Sequence, residues 1–424
     1  MNIELITIGD ELLDGRTRDL NIHWLGGRLR ALGVVLDRVT MVDDDLERLV
    51  HVLQEAAKRA DLVITSGGLG PTLDDRTREA IAHAAGVSLH EHSEARARLE
   101  RYFADRKVTM SPTNLRQAQM PVGAQVFASR FGTADAFETE IDGTPCLSLP
   151  GVPFEFQGLV EEVLVPRFAG QEPRAWRQLH VFGKGESWLA ERIEALGLDD
   201  RIRITWKATL TSLTIEFSVA HEHEPLLDPA LDLVEAAIRP WVYRAQTGSA
   251  AYALAEHLEK NGGSVATAES CTGGAISSAL TDIPGISRWF ERGFVTYSNE
   301  AKLQELGVQK VTLDAYGAVS VEVAREMAQG ARRRSLASVA VSVSGVAGPG
   351  GGSPEKPVGT VMLACATQEV EIVVHAYFHR RSRADFKALV TELALVLVLR
   401  TLQRREDDLR DIHYVKSLTV TEVD

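Results

Sequence analysis

Three cysteines in 424 residues, Cys146, Cys271 and Cys365, are odd in number and widely spread, and no CxxC pair is present. That excludes a disulfide framework and gives no zinc site. No run of about 18 apolar residues exists to span a membrane. The first residues, MNIELITIGDELLDG, carry Asp and Glu where a secretory leader has a basic stretch followed by an apolar one. A soluble, cytoplasmic protein without a membrane partner is expected. Basic residues are also short, 46 against 59 acidic, and the net charge of −13 argues against an intrinsic nucleic-acid-binding surface. Length and apolar content are ample. With 45% hydrophobic residues, the chain exceeds one ordinary domain and suits two or three.

The stretch that organises the chain is TAESCTGG at 267–274. Residues 264–268 read as a short strand, 269–272 as a turn, and 273 onward as the start of a helix. Ser270 therefore stands at a strand-to-helix corner. A hydroxyl there is lifted clear of the sheet, and free backbone N–H groups at the helix start could cradle an oxyanion or a phosphate. An ordinary Ser/Thr helix cap has the same local signature. Cys271 is the one rival nucleophile, because a helix N-terminus also lowers a thiol pKa.

Downstream, GFVTY at 293–297 reads as a strand, Ser298 or Asn299 as an N-cap, and 300–306 as a short helix closed by Gly307. Lys302 falls in the first turn of that helix. The field there disfavours a cation and would depress the lysine pKa, which suits a neutral base. A solvated surface lysine is the plain alternative. Between 248 and 404 the only histidines are His257, His375 and His379, none beside a loop motif. A Ser270–Lys302 arrangement with Tyr297 as third hydroxyl is thus more economical than a Ser-His-Asp triad.

A third stretch closes the site. Residues 338–344 alternate as a half-buried strand, and five glycines follow in the eight positions 345–352. Gly345, Gly348, Gly350 and Gly351 with Lys356 are candidates for a phosphate-binding loop, although a Gly/Pro connection between strands looks similar. Thr272, Gly273 and Gly274 join them as candidate substrate-binding residues.

TAESCTGG, GFVTYSNEAK and SGVAGPGGGSPEKPVGT together resemble the C-terminal domain of the CinA (competence/damage-inducible) family, over about 248–404. The resemblance implies a nicotinamide mononucleotide amidohydrolase of pyridine-nucleotide salvage. It implies Ser270 as nucleophile, Lys302 as general base and Tyr297 in the proton network, with no metal or other cofactor for this step. Ammonia and nicotinate mononucleotide would be the products.

The first half alternates strands (3–8, 34–42, 62–66) with helices (21–32, 46–60), which implies parallel βαβ units. In such sheets ligands sit at the carboxyl ends of the strands. There lies SGGLGPTLDD at 66–75, in which Gly67, Gly68, Gly70 and Thr72 read as a phosphate turn ahead of a helix near Arg76. Asp10, Asp43 and Asp75, with Glu11 and Asp74 nearby, could hold a hard divalent cation, although acidic residues at helix starts are routine caps. GDELLDGRTRDLN, TMVDDD, TSGGLGPTLDD and SLPGVPFEF resemble the molybdopterin-binding fold at the N-terminus of CinA proteins. That resemblance implies an ADP-ribose pyrophosphatase dependent on Mg, Mn or Co, or a pterin- or nucleotide-binding vestige of one.

The fold class expected is α/β. A doubly wound molybdopterin-binding-like domain spans 1–169, a small α+β KH-like domain 170–245, an α/β amidohydrolase domain 248–404 and a charged tail 405–424. The middle segment lacks the GxxG clamp of RNA-binding KH domains, since 183–186 read GKGE, and its segment 206–214 lacks a glycine turn. It reads as a spacer or assembly domain. The family suggests a homodimer, with nicotinamide mononucleotide and ADP-ribose as small-molecule partners. The reading from another class is a non-catalytic binding partner in DNA uptake or repair.

Overall fold

The structure is a computed structural model, and it describes residues 1–170, 174–245 and 248–423. The chain forms two compact units, Met1–Arg174 and Ala175–Asp424.

In the first unit β1 (Ile3–Ile8), β2 (Leu36–Val42) and β3 (Leu62–Ser66) are followed by a small pair, β4 (Leu89–Glu91) and β5 (Gln119–Pro121). Next come β6 (Gln125–Phe127), β7 (Ala136–Ile141) and β8 (Thr144–Leu149). The main sheet runs β2-β1-β3-β8-β7-β6, parallel through β8 and antiparallel beyond it. Alternation along β1 shows why both faces are covered. Ile3 and Leu5 pack with Leu25, Leu29, Phe156 and Leu159 from helices Asn21–Ala31 and Pro153–Leu159. Ile6 and Ile8 pack on the opposite face with Leu49, Leu53 and Ile81 from Leu46–Ala57 and Thr77–Ala84. This is the expected doubly wound layering.

The second unit departs from the expected division. Its β9 (Ala175–Val181), β10 (Arg203–Ala208), β11 (Leu213–Val219) and β12 (Val242–Tyr243) form an antiparallel sheet in the order β10-β11-β9-β12. Instead of a glycine turn, hydroxyls close the β10–β11 hairpin: Ser212 N donates to Thr209 Oγ1 at 3.0 Å, and Thr209 N to the Ser212 carbonyl at 2.8 Å. This small sheet is no separate spacer. One continuous core runs from Leu179 and Phe217 to Leu393 and Leu418. Across it, Trp241 Nε1 donates to the Asp411 carbonyl at 2.8 Å and buried Arg400 to the Val242 carbonyl at 2.6 Å.

The larger sheet contains β13 (Val265–Glu269), β14 (Phe290–Val295), β15 (Val339–Gly345), β16 (Thr360–Ala366), β17 (Val370–Tyr377) and β18 (Val415–Glu422), in the order β14-β13-β15-β16-β17-β18. The segment set apart as a tail thus supplies the outer strand, β18, paired antiparallel with β17. Val339, Val341 and Val343 face the apolar helix Arg383–Leu402, while Ala340 and Ala364 face the side covered by Val321–Ser335. No described helix is long and apolar enough to cross a membrane.

Candidate active site

β13 lies between β14 and β15, parallel to both. Its carboxyl end is pinned on each side: Ser270 N donates to the Val343 carbonyl at 3.1 Å, and Thr296 N to the Glu269 carbonyl at 2.9 Å. The corner then turns through Gly273 (φ +62°), where an L side chain is strained, into helix Ala275–Thr281.

The donors at that helix start are already taken. Glu269, completely buried, accepts from the N–H groups of Gly274 (2.9 Å), Ile276 (3.0 Å) and Ser277 (2.8 Å) and from Ser277 Oγ (2.7 Å). The expectation that Gly274 and the first helical amides form an anion cradle is therefore corrected. The N–H groups of Cys271 and Thr272 have no protein acceptor among the described residues and face no such competitor.

Lys302 sits in helix Asn299–Leu306, which Ser298 caps by accepting from Ala301 N at 3.0 Å. Only 1% of the lysine is exposed, which removes the solvated-lysine alternative. Its Nζ contacts Ser270 Oγ at 3.0 Å, the Thr296 carbonyl at 2.8 Å and the Tyr297 carbonyl at 3.4 Å. Burial depresses its pKa to about 8. The lowered value was expected, but from the field of the helix start; the cause in the structure is desolvation. Burial also acts on Cys271, pushing its thiol up to about 12, opposite to the lowering expected at a helix start.

A cleft of about 210 Å³ opens over this pair, lined by Ser270, Tyr297, Lys302, Ser344 and Arg383 among others. The hydroxyl of Tyr297 does not reach the pair. Its side chain is exposed and accepts from Arg383 Nη2 at 2.6 Å, while Arg383 Nη1 donates to the Gly348 carbonyl at 2.9 Å. Gly345 lines the cleft, whereas Gly350, Gly351 and Lys356 do not; Lys356 Nζ instead donates to the Tyr316 carbonyl at 2.7 Å. Residues that sequence reasoning missed are Glu269 and Arg383. The acid directly before Ser270, ahead of two glycines, was a legible cap signal. Arg383 comes from a segment 86 residues beyond Tyr297, and nothing local announces it.

In the first unit a cavity of about 500 Å³ lies at the carboxyl ends of β1, β3 and β8, lined by Gly67, Gly68, Gly70, Asn21, Asp75 and Gly151 among others. Gly67 is required there, because a β-carbon would stand 2.4 Å from the Ile8 carbonyl. Thr72 does not line the cavity. Its N–H donates at 2.8 Å, and its hydroxyl more closely, to Asp75, which also accepts from Gly70 N at 2.7 Å. Asp75 thus fixes its own loop, and Asp43 pairs with Arg48. Asp10 faces Asp44, whose carboxyl is held above its ordinary value, first by burial and then by Asp10, Glu11 and Asp74. Among the described residues no group of three or more His, Cys, Asp or Glu is arranged to hold a metal ion. Asp10, Asp43 and Asp75 therefore do not fit the shared metal centre expected of them.

Residues 248–402 match the CinA C-terminal domain and residues 4–170 the probable molybdopterin binding domain. A putative competence-damage inducible protein of Caldicellulosiruptor saccharolyticus is 39% identical over 411 residues, covering 95% of this chain and 99% of that protein. The chain belongs to the CinA family. Another CinA relative, the nicotinamide-nucleotide amidohydrolase PncC of Shewanella oneidensis, is 37% identical over 407 residues, 95% of this chain and 96% of that protein. Among solved structures, the competence/damage inducible protein CihA of Agrobacterium tumefaciens is 42% identical; it covers 38% of this chain and 99% of its own, with a TM-score of 0.34.

Proposed function

We propose that this CinA-family chain hydrolyses the carboxamide of nicotinamide mononucleotide, with Ser270 as nucleophile and Lys302 as its base. The observation that carries the proposal is the hydrogen-bond set around Lys302 Nζ. A neutral amine has two hydrogens and one lone pair. With the carbonyls of Thr296 and Tyr297 as acceptors for the hydrogens, the lone pair is left for the Ser270 hydroxyl 3.0 Å away. The relative named as a nicotinamide-nucleotide amidohydrolase supports the choice of substrate.

In the first half-reaction Ser270 Oγ bonds to the amide carbon as its proton passes to Lys302. The main-chain amide N–H groups of Cys271 and Thr272 are the donors left for the oxyanion. Collapse breaks the C–N bond, and the proton on Lys302 leaves with the nitrogen as ammonia. Water then attacks the ester, gives its proton to Lys302, and expels Ser270 Oγ, which takes that proton back. The product is the carboxylate, nicotinate mononucleotide. Arg383, whose partners among the described residues are a carbonyl and a phenol, places a cation without a paired carboxylate at the mouth, where an anionic substituent fits.

Ammonia release from nicotinamide mononucleotide, measured beside Ser270→Ala, decides the matter. Retained turnover in the variant would remove the acyl-enzyme route. The cavity at the ends of β1, β3 and β8 favours a second reading for the first unit, as a site for a nucleotide diphosphate such as ADP-ribose. Release of AMP from ADP-ribose by the full chain tests whether that site is also hydrolytic.

A further inference from the structure

Helix Arg383–Leu402 brings a second cation to the corner that carries Ser270. Lys387 lies one turn after Arg383, half-buried, and its Nζ stands 3.8 Å from the point where a β-carbon on Gly273 would sit. Because position 273 is glycine, no side chain separates the ammonium from the corner. Among the described residues Lys387 Nζ has no hydrogen-bond or ion-pair partner. That is unexpected in a chain with 59 acidic residues. A half-buried ammonium without a counter-charge is costly, and the exposed Arg383 has only neutral oxygens as partners among the described residues. Both cations lie on one helix face, since residues four apart are neighbours about 5–6 Å from each other. Lys302, the third cation of the region, is already committed to Ser270 and two carbonyls. Arg383 and Lys387 therefore remain as a two-pronged receptor for an anion with several oxygens.

We propose that Lys387 binds the phosphate of the substrate together with Arg383, and that it sets the preference for a nucleotide over the corresponding nucleoside. The proposal rests on the cleft being the nicotinamide-nucleotide site. Its experiment needs no turnover: nicotinamide mononucleotide and nicotinamide riboside are titrated calorimetrically into the full-length Ser270→Ala protein, with and without Lys387→Met. Lys387→Met should weaken the nucleotide about tenfold, the loss of one charged hydrogen bond, and leave the riboside unchanged. Lys387→Arg should restore most of the difference. Nucleotide binding that ignores Lys387, an equal loss for both ligands, or no nucleotide binding at all overturns the proposal. Should Lys387→Met unfold, Lys387→Gln carries the same comparison. Nucleotide binding that depends on Lys387 in a chain releasing no ammonia would sink the amidase reading alone.

Discussion

Lys302 Nζ donates to the main-chain carbonyl of Thr296 at 2.8 Å, and this bond, with the longer one to Tyr297, orients the amine toward Ser270. The same burial that makes the arrangement possible lowers the lysine pKa from 10.5 to about 8. Neutral lysine is then about a tenth of the total at pH 7 and about nine-tenths at pH 9. The amidase rate should rise through pH 8 and level off, and Lys302→Met should abolish both the rise and most of the rate, by about 10²–10⁴-fold. A rate that stays flat from pH 6.5 to 9 would show that another group is the base.

The linkage has a definite sign. Between pH 8 and 10.5 the unfolded lysine binds a proton that the folded one has released, so stability increases with pH across that window. Lys302→Met removes the dependence. Its second unit should melt higher than the unaltered protein's at pH 7, with the gap closing toward pH 10.5; a gap that widens instead would contradict a depressed lysine.

Glu269 holds the corner through four donors, three of them main-chain amides, and a Gln side-chain nitrogen in place of either oxygen cannot accept from the amides that oxygen holds. Glu269→Gln should cost about 2–4 kcal/mol, given roughly 1.5–3 for each hydrogen bond to a charged group and partial compensation by the remaining oxygen. It should also lower kcat more than it raises KM, because Ser270 follows directly on the loosened residue. Urea melts and steady-state kinetics on one preparation measure both. Full activity in a destabilised protein would reduce Glu269 to a helix cap.

The parallel strands and their helices were legible because short apolar runs, caps and glycine stops recur in order, and Ser270 and Lys302 were legible because local motifs place one at a strand-to-helix corner and the other in the helix that follows the next strand. Tyr297 illustrates the limit. Strand β14 ends at Val295, two residues short of the expected end, and the direction of the Tyr297 hydroxyl depends on Arg383, which only the tertiary fold brings to it. Likewise, Lys356 has the composition of a phosphate-loop lysine, yet the loop carries it toward the Tyr316 carbonyl. The carboxylates of the first unit misled for a related reason. Asp75 satisfies its own turn and Asp43 a nearby arginine, and sequence spacing cannot separate a ligand from a cap.

The outer strand β18 gives a further prediction. It pairs along β17 from Val370 to Ala376 and shelters that strand's ladder. Truncation after residue 412 would leave β17 as an open edge and expose Leu418's contact site in the core. The second unit should lose several degrees of Tm and the protein should aggregate on heating, while the transition of the first unit stays in place. An unchanged second transition in calorimetry would return residues 415–422 to the status of a dispensable tail.

Tyr243 and Glu392 provide the last test. The Tyr243 hydroxyl donates to Glu392 Oε1 at 2.5 Å, and Ala250 N donates to the same oxygen at 2.9 Å. Burial is the largest cause raising the Glu392 pKa above 4.5. In the window above pH 4.5 the folded carboxyl keeps a proton that the unfolded one has lost, so stability falls as pH rises until the folded group ionises. A glutamine oxygen can occupy the Oε1 position and accept both bonds without a buried charge. Glu392→Gln should therefore match the unaltered protein near pH 4.5 and exceed its Tm at pH 8 by a few degrees. Equal melting temperatures at both pH values would mean that the carboxylate is compensated where it lies, and a lower Tm at pH 8 would show that its charge stabilises the junction of the small sheet with helix Arg383–Leu402.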